Sequence, residues 1–186
     1  MKRYFFTLLM MFCFSGFVMA QKAFETGTKT LQLGGGIGLA GIYGDPKTPP
    51  ITAMFDFALN DNFSLGVAAG YAGSEFLYPP LSINGKLLEY GFNYSYTVIG
   101  TRLAYHISNS EKFDIYFGGL LGYTMVSASV IWPEEIDFIL EPKASGSYLL
   151  YGGFAGLRLF FNQNIGFYIE GGYGLSLVNG GLAFKF

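Results

Sequence analysis

Cysteine, histidine and tryptophan each occur once in the 186 residues, and these scarcities exclude a good deal. Cys13 lies inside an N-terminal apolar run, so the rest of the chain has neither a disulfide framework nor thiolate chemistry. A lone histidine, His106, with no other soft ligand argues against a transition-metal site. Charged residues make up only 13% of the chain, about half the usual soluble share. The net charge of −2 offers no basic face, so no nucleic-acid partner is expected. Long apolar runs are missing too. After Gln21 none approaches the ~18 residues that a spanning helix needs, which excludes a helical membrane protein.

What remains is apolar and aromatic: 51% hydrophobic residues, 19% aromatic, and 27 glycines. Lys2 and Arg3 open the chain, residues 4–18 are apolar, and Val18-Met19-Ala20 has the small residue a signal peptidase requires. Residues 1–20 therefore read as a cleaved signal peptide and residues 21–186 as one domain. The bulky Met10, Met11 and Phe12 before Cys13 argue against lipidation. An exported, apolar chain without spanning helices has one good membrane solution, a closed barrel that pairs every backbone group between strands.

Eight segments rich in aromatic and β-branched residues, bounded by turn residues, read as strands: 30–44, 51–60, 63–76, 92–107, 113–132, 148–161, 165–178 and 181–186. Asp61-Asn62, residues 108–112 and Asn162-Gln163-Asn164 read as tight turns. Residues 45–50, 77–91 and 133–147 read as longer loops, and Asn179-Gly180 as a hairpin turn. Short turns on one side and long loops on the other put both termini in the periplasm. The expected fold is all-β, an eight-stranded antiparallel up-and-down transmembrane β-barrel.

Alternation supports this. Leu149, Tyr151, Leu157 and Leu159 share one parity, and Gly152, Phe154, Gly156 and Arg158 the other; Phe55 and Phe57 oppose Asp56; Ile99, Leu103 and Tyr105 oppose Arg102 and His106. A charge facing lipid at midplane costs about 2–4 kcal/mol, and the spanning charges all fall on the non-apolar parity. That second face is mostly Gly, Ala and Ser, which suits a narrow packed lumen shared with Tyr96, Tyr116, Phe154 and Tyr168. Outward aromatics fall at two heights. Phe57, Phe63, Tyr105, Phe113, Phe161, Phe167 and Phe186 lie low; Tyr43, Tyr71, Tyr123, Tyr151 and Tyr173 lie higher. The ten residues from Phe113 to Tyr123 span about 25 Å of height at the tilt of a barrel strand.

The final segment, Gly181-Leu182-Ala183-Phe184-Lys185-Phe186, alternates apolar residues and ends on Phe. With the leader and the strand–turn pattern, it resembles the small OmpA/OmpX-like outer-membrane β-barrel family of Bacteroidetes-type envelopes. The resemblance covers the whole mature chain. It implies a bacterial outer-membrane location, outer-membrane lipid as surroundings, and recognition of Leu182, Phe184 and Phe186 by the barrel-assembly machinery. A monomer is expected, and with no sequence after Phe186 no peptidoglycan-binding domain is expected; the resemblance says little about activity.

Three features could carry chemistry. Gly36-Ile37-Gly38-Leu39-Ala40-Gly41 matches a dinucleotide fingerprint, but no helix follows, and glycines facing a tight lumen are the better account. His106 lies near a periplasmic turn, the wrong end for an enzyme acting on outer-leaflet lipid, so no catalytic residue, metal or cofactor is expected. Residues 133–147 place Glu134, Glu135, Asp137 and Glu141 around Phe138; the loop reads first as a barrel extension packed on neighbouring loops, and otherwise as a surface-interaction patch for an extracellular partner or divalent cations. Six inward charges of balanced sign, Asp56, Asp114 and Glu170 against Arg102, Arg158 and Lys185, read as a lumen ion-pair network, with Arg102 and Arg158 paired to Asp56 and Glu170. The reading is a non-enzymatic barrel with a filled lumen and a structural or surface-interaction role through its extracellular loops. The alternative is a minor pore or a conduit for small hydrophobic molecules.

Overall fold

A computed structural model describes residues 22–38, 44–83, 86–107, 110–132, 143–174 and 176–186. The leader therefore lies outside the described residues, as do Tyr43 and the loop residues Glu134, Glu135, Asp137, Phe138 and Glu141.

Strong alternation and turn chemistry produce strands throughout: β1 (Lys29–Ile37), β2 (Asp45–Ala58), β3 (Phe63–Leu77), β4 (Leu81–Ile83), β5 (Lys86–Leu88), β6 (Gly91–His106), β7 (Phe113–Ile131), β8 (Lys143–Phe160), β9 (Ile165–Gly172) and β10 (Val178–Lys185). Eight of them close into an antiparallel up-and-down barrel in the order β1-β10-β9-β8-β7-β6-β3-β2, while β4 and β5 pair as a small hairpin. At the lower end the turns are built by asparagine. Asn60 Oδ1 accepts from the backbone N–H groups of Asn62 and Phe63 at 2.9 and 2.8 Å, and Asn162 Oδ1 from those of Asn164 and Ile165 at 2.9 and 2.7 Å.

The register fixes the shape. Following cross-strand partners from Phe113 through Leu159, Phe167, Leu182, Leu33, Ala53, Ala69 and Ile99 re-enters β7 at Tyr123, ten residues higher. Eight strands with a stagger of ten tilt by about 43° and enclose a space that side chains can just fill. Inward residues such as Met54, Ala68, Tyr116, Phe160 and Tyr168 are buried. Outward ones, among them Leu65, Val67, Ile99, Leu121 and Ile169, are half exposed and apolar. Phe57, Phe63, Phe113, Phe161, Phe167 and Phe186 ring the lower end of this apolar belt, and Tyr71, Tyr123, Tyr151 and Tyr173 its upper end, all exposed.

Four sequence expectations need correction. Asn179-Gly180 is not a turn: both residues sit in β10, paired with Glu170 and Ile169. Thr52 donates to Asn179 Oδ1 at 3.2 Å inside the lumen, and this contact outweighs the local turn preference. The reversal falls earlier, after β9 ends at Gly172. Residues 45–50 are not a loop but the start of β2, paired with β3 through register shifts at Pro46, Thr48 and Ile51, the irregularities that let strand prolines be tolerated. Finally, β1 stops at Ile37, short of the expected Gly44, while β8 begins at Lys143, earlier than expected.

The last strand closes the barrel. β10 pairs with β1 from Thr30↔Lys185 to Ile37↔Val178, and Lys29 and Phe186 exchange backbone hydrogen bonds at 3.2 and 2.9 Å. Deleting Phe186 removes the end of this seam and the aromatic anchor at its foot. The deletion is expected to reduce the heat-modifiable folded form in the outer membrane, read by unheated electrophoresis; unchanged folding would show that the terminal residue is dispensable.

Candidate functional site

The lumen contains a chain of buried polar groups that crosses the barrel. Asp56 on β2 is its centre. One carboxylate oxygen meets the Arg158 guanidinium, and the other lies 3.1 Å from Arg102 Nε, a charge contact without hydrogen-bond alignment. Arg102 reaches the other way to Glu170 at 2.7 Å and also contacts the Met54 sulfur. Arg158 donates to Asp114 at 2.9 Å and to Gln32 Oε1 at 2.7 Å. Tyr116 donates to Glu170 at 2.9 Å and accepts from Gln32 at 3.0 Å. Asp56, Arg102, Asp114 and Arg158 are at most 2% exposed and Glu170 8%. Charges this deep are tolerable only when paired and hydrogen-bonded.

Aromatic faces and glycines complete the packing. The Arg102 guanidinium lies 4.1 Å from the Phe154 ring centroid and that of Arg158 lies 4.4 Å from Tyr116. Gly66, between Asp56 and Arg102 on neighbouring strands, leaves the space their pair occupies: a Cβ there would lie 2.3 Å from Asp56 Oδ1. Gly156 does the same for Tyr116, whose ring would be 2.5 Å from an added Cβ. A gap beside Arg102 and Glu170 measures about 20 Å³, and another among Thr52, Tyr96 and Thr124 about 10 Å³, room for about one water each.

The six inward charges thus divide. The structure brings Asp56, Arg102, Asp114, Arg158 and Glu170 together, with Asp56 bridging both arginines. Asp114, which the sequence reading left without a partner, takes Arg158 directly across the β7–β8 pair. Lys185 stands apart: its Nζ donates to the Lys22 carbonyl at 3.0 Å and lies over the Phe160 ring at 5.2 Å. Two guanidiniums therefore face three carboxylates, and neutral donors, Tyr116 among them, serve the remainder.

His106 also joins the network. Its Nδ1 lies 2.8 Å from Asp114 Oδ1 and its Nε2 2.9 Å from Ser64 Oγ. Against an ionised carboxylate the Nδ1 must donate. The order Ser–His–Asp is that of a catalytic relay, yet both His106 and Ser64 are sealed from solvent. Phe24 stacks flat on the imidazole at 3.5 Å between ring centroids, and Ala23 bonds the Ser110 carbonyl at 2.8 Å. The Ser–His–Asp contact and its Phe24 cover were not foreseen. Ser64 looked like any small lumen residue, and Phe24 carries no local signal. Thr26 fastens the same segment to Asp61 through its hydroxyl at 2.6 Å and its N–H at 3.0 Å, bonds that hold the exposed Asp61 carboxyl below its ordinary range.

No protein-family model matches the chain, and no curated protein matches it. Among the solved structures that share the fold are the following two. One is Ail, the attachment invasion locus protein of Yersinia pestis, in complex with the heparin analogue sucrose octasulfate: TM-score 0.51, 16% identity, covering 86% of this chain and 96% of that one. The other is the N-terminal β-barrel domain of Pseudomonas aeruginosa OprF: TM-score 0.50, 13% identity, covering 87% and 99%. Both are small barrels, and at this identity the likeness establishes architecture.

Arg158→Ala is expected to be the most disruptive single change in the lumen, because it takes a guanidinium from two buried carboxylates at once, leaving Asp56 with Arg102 and Asp114 with His106. Losing one member of a buried pair costs about 3–5 kcal/mol. Urea titration of the refolded variant in micelles should show a lower midpoint at an unchanged slope, and a wild-type midpoint would refute a stabilising network.

Proposed function

We propose that this chain is an integral outer-membrane barrel of the OmpA/OmpX-like kind found in Bacteroidetes-type envelopes. It is monomeric and non-enzymatic, and it works through the surface it raises outside the membrane. The outward apolar belt between two aromatic rings, about 25 Å apart, supports the membrane setting. The filled lumen supports a barrel that does not conduct, and the covered His106 and Ser64 support the absence of catalysis. The alternating end of β10, with Leu182, Phe184 and Phe186, supports recognition by the assembly machinery.

The observation that carries the reading is the uneven height of the wall. β9, β10 and β1 have eight, eight and nine residues, whereas β3, β6, β7 and β8 have fifteen to nineteen. β8 continues eight residues above Tyr151, about 20 Å beyond the upper aromatic ring. Among the described residues, no strand pairs with residues 144–151 on the β9 side. A raised sheet with an open edge presents backbone donors and acceptors outside the bilayer, the form suited to holding an extended partner segment. The inner face of this sheet carries a ladder of rings, Tyr78, Phe92, Tyr94 and Tyr96, with centroids about 6 Å apart.

Ail was crystallised with a polyanionic sugar analogue. On this chain the raised sheet carries Asp45, Lys47, Glu75 and Lys143, and Lys47 is tied to Glu75 at 2.5 Å. The segment between β7 and β8 adds Glu134, Glu135, Asp137 and Glu141, an acidic excess that disfavours a sulfated partner.

An epitope tag inserted beside Lys143 should bind antibody on intact cells. Binding only after the outer membrane is permeabilised would invert the topology and remove the surface role.

A further inference from the structure

We propose that residues 22–26 form a strap that opens and shuts the lower mouth of the barrel by itself, with Phe24 as the latch that keeps water from His106. The inference concerns the end opposite the raised sheet and goes beyond the surface role given above.

The strap lies outside the ladder of the wall. β1 pairs with β2 from Lys29 and with β10 from Thr30. Just before it the Thr28 carbonyl and the Gly27 N–H still bond Ala58, at 2.8 and 3.0 Å. Beyond Gly27 the chain leaves the wall and turns into the mouth. Gly27 makes that turn at φ +86°, a region that glycine enters without strain, and a Cβ there would meet nothing within 4 Å.

Three separate parts of the rim then hold the strap. The Lys22 carbonyl accepts from Lys185 on β10 at 3.0 Å, and the Ala23 N–H donates to Ser110 in the turn between β6 and β7 at 2.8 Å. Thr26 gives both its donors to Asp61 in the turn between β2 and β3. Phe24 fills the space among these anchors, 3% exposed, with its ring parallel to the His106 imidazole within 4°.

Each of these contacts can break without the loss of a strand pairing. A segment held by a few turn and side-chain contacts opens far more often than a ladder whose members must melt together. Beneath the strap lie Ser64, His106 and Asp114, each at most 1% exposed. Opening wets this end of the lumen alone. Asp56 meets its two arginines through contacts that involve no strap residue, so those pairs outlast an open strap. The two states differ in the exposure of one imidazole. His106 Nδ1 faces the Asp114 carboxylate and donates to it, which leaves the lone pair on Nε2.

The test is carbethoxylation of His106, the single histidine of the chain, by diethyl pyrocarbonate. It uses the untagged, folded protein in micelles and is read by mass spectrometry. In the wild type the reaction should be slow, and its rate should not change with urea below the unfolding transition, as a local opening requires. Phe24→Ala should raise the rate about a hundredfold. Asp61→Ala removes an anchor that does not touch the histidine, and it should raise the rate about fivefold. The heat-modifiable folded form should persist in both variants. A wild-type rate that climbs steeply with urea would show that the strap opens only when the barrel unfolds, and would overturn the proposal. An unchanged rate in either folded variant would overturn it as well. Should Phe24→Ala not fold, the urea series and Asp61→Ala decide the question.

Discussion

Asp56 is the residue on which the interior depends. It lies between two arginines in a lumen whose radius is set by eight strands and a stagger of ten, too narrow for bulk water and too polar for an apolar core. Each guanidinium must therefore find its anions within the barrel, and each carboxylate its cations. Asp56 takes both arginines, Glu170 holds the far side of Arg102, and Asp114 holds the far side of Arg158. The charged members stand on β2, β6, β7, β8 and β9 and Gln32 on β1, so the same contacts that neutralise charge also tie most of the circumference across its diameter. Gly66 and Gly156 are part of that arrangement, since any side chain there would occupy the volume the ion pairs need.

The two ends of the barrel are finished differently. Below, Phe24 lies on His106 and the segment before β1 closes the mouth with backbone and aromatic contacts. Above, the wall splits into a low side and a raised side. Among the described residues, the low-side strands end near the upper aromatic ring, and the raised side continues as a sheet with one open edge. A filled interior gives this sheet a rigid base, the basis of the surface role proposed above.

Much of this was legible in the sequence, because a barrel writes itself as alternation. The parity of Phe55 and Phe57 against Asp56, or of Leu157 and Leu159 against Arg158, identified lumen and outer face without any tertiary information. Asparagine-rich turns at the lower end were equally plain. The failures share one cause. Asn179-Gly180 has strong local turn chemistry, yet Asn179 is held in β10 by Thr52 on a distant strand. The prolines of residues 45–50 suggest a loop, yet the neighbouring β3 accommodates them with register shifts. Pairing within the lumen was half legible: charge and depth named the participants, but Asp56 bridging both arginines, and Lys185 turning to the Lys22 carbonyl, depend on the stagger, which sequence does not display.

The central claim is that paired charges close the lumen, and single-channel recording tests it most directly. The purified, folded chain in a planar bilayer should show no steady conductance at neutral pH. A stable, reproducible open level from the wild-type protein would contradict the account.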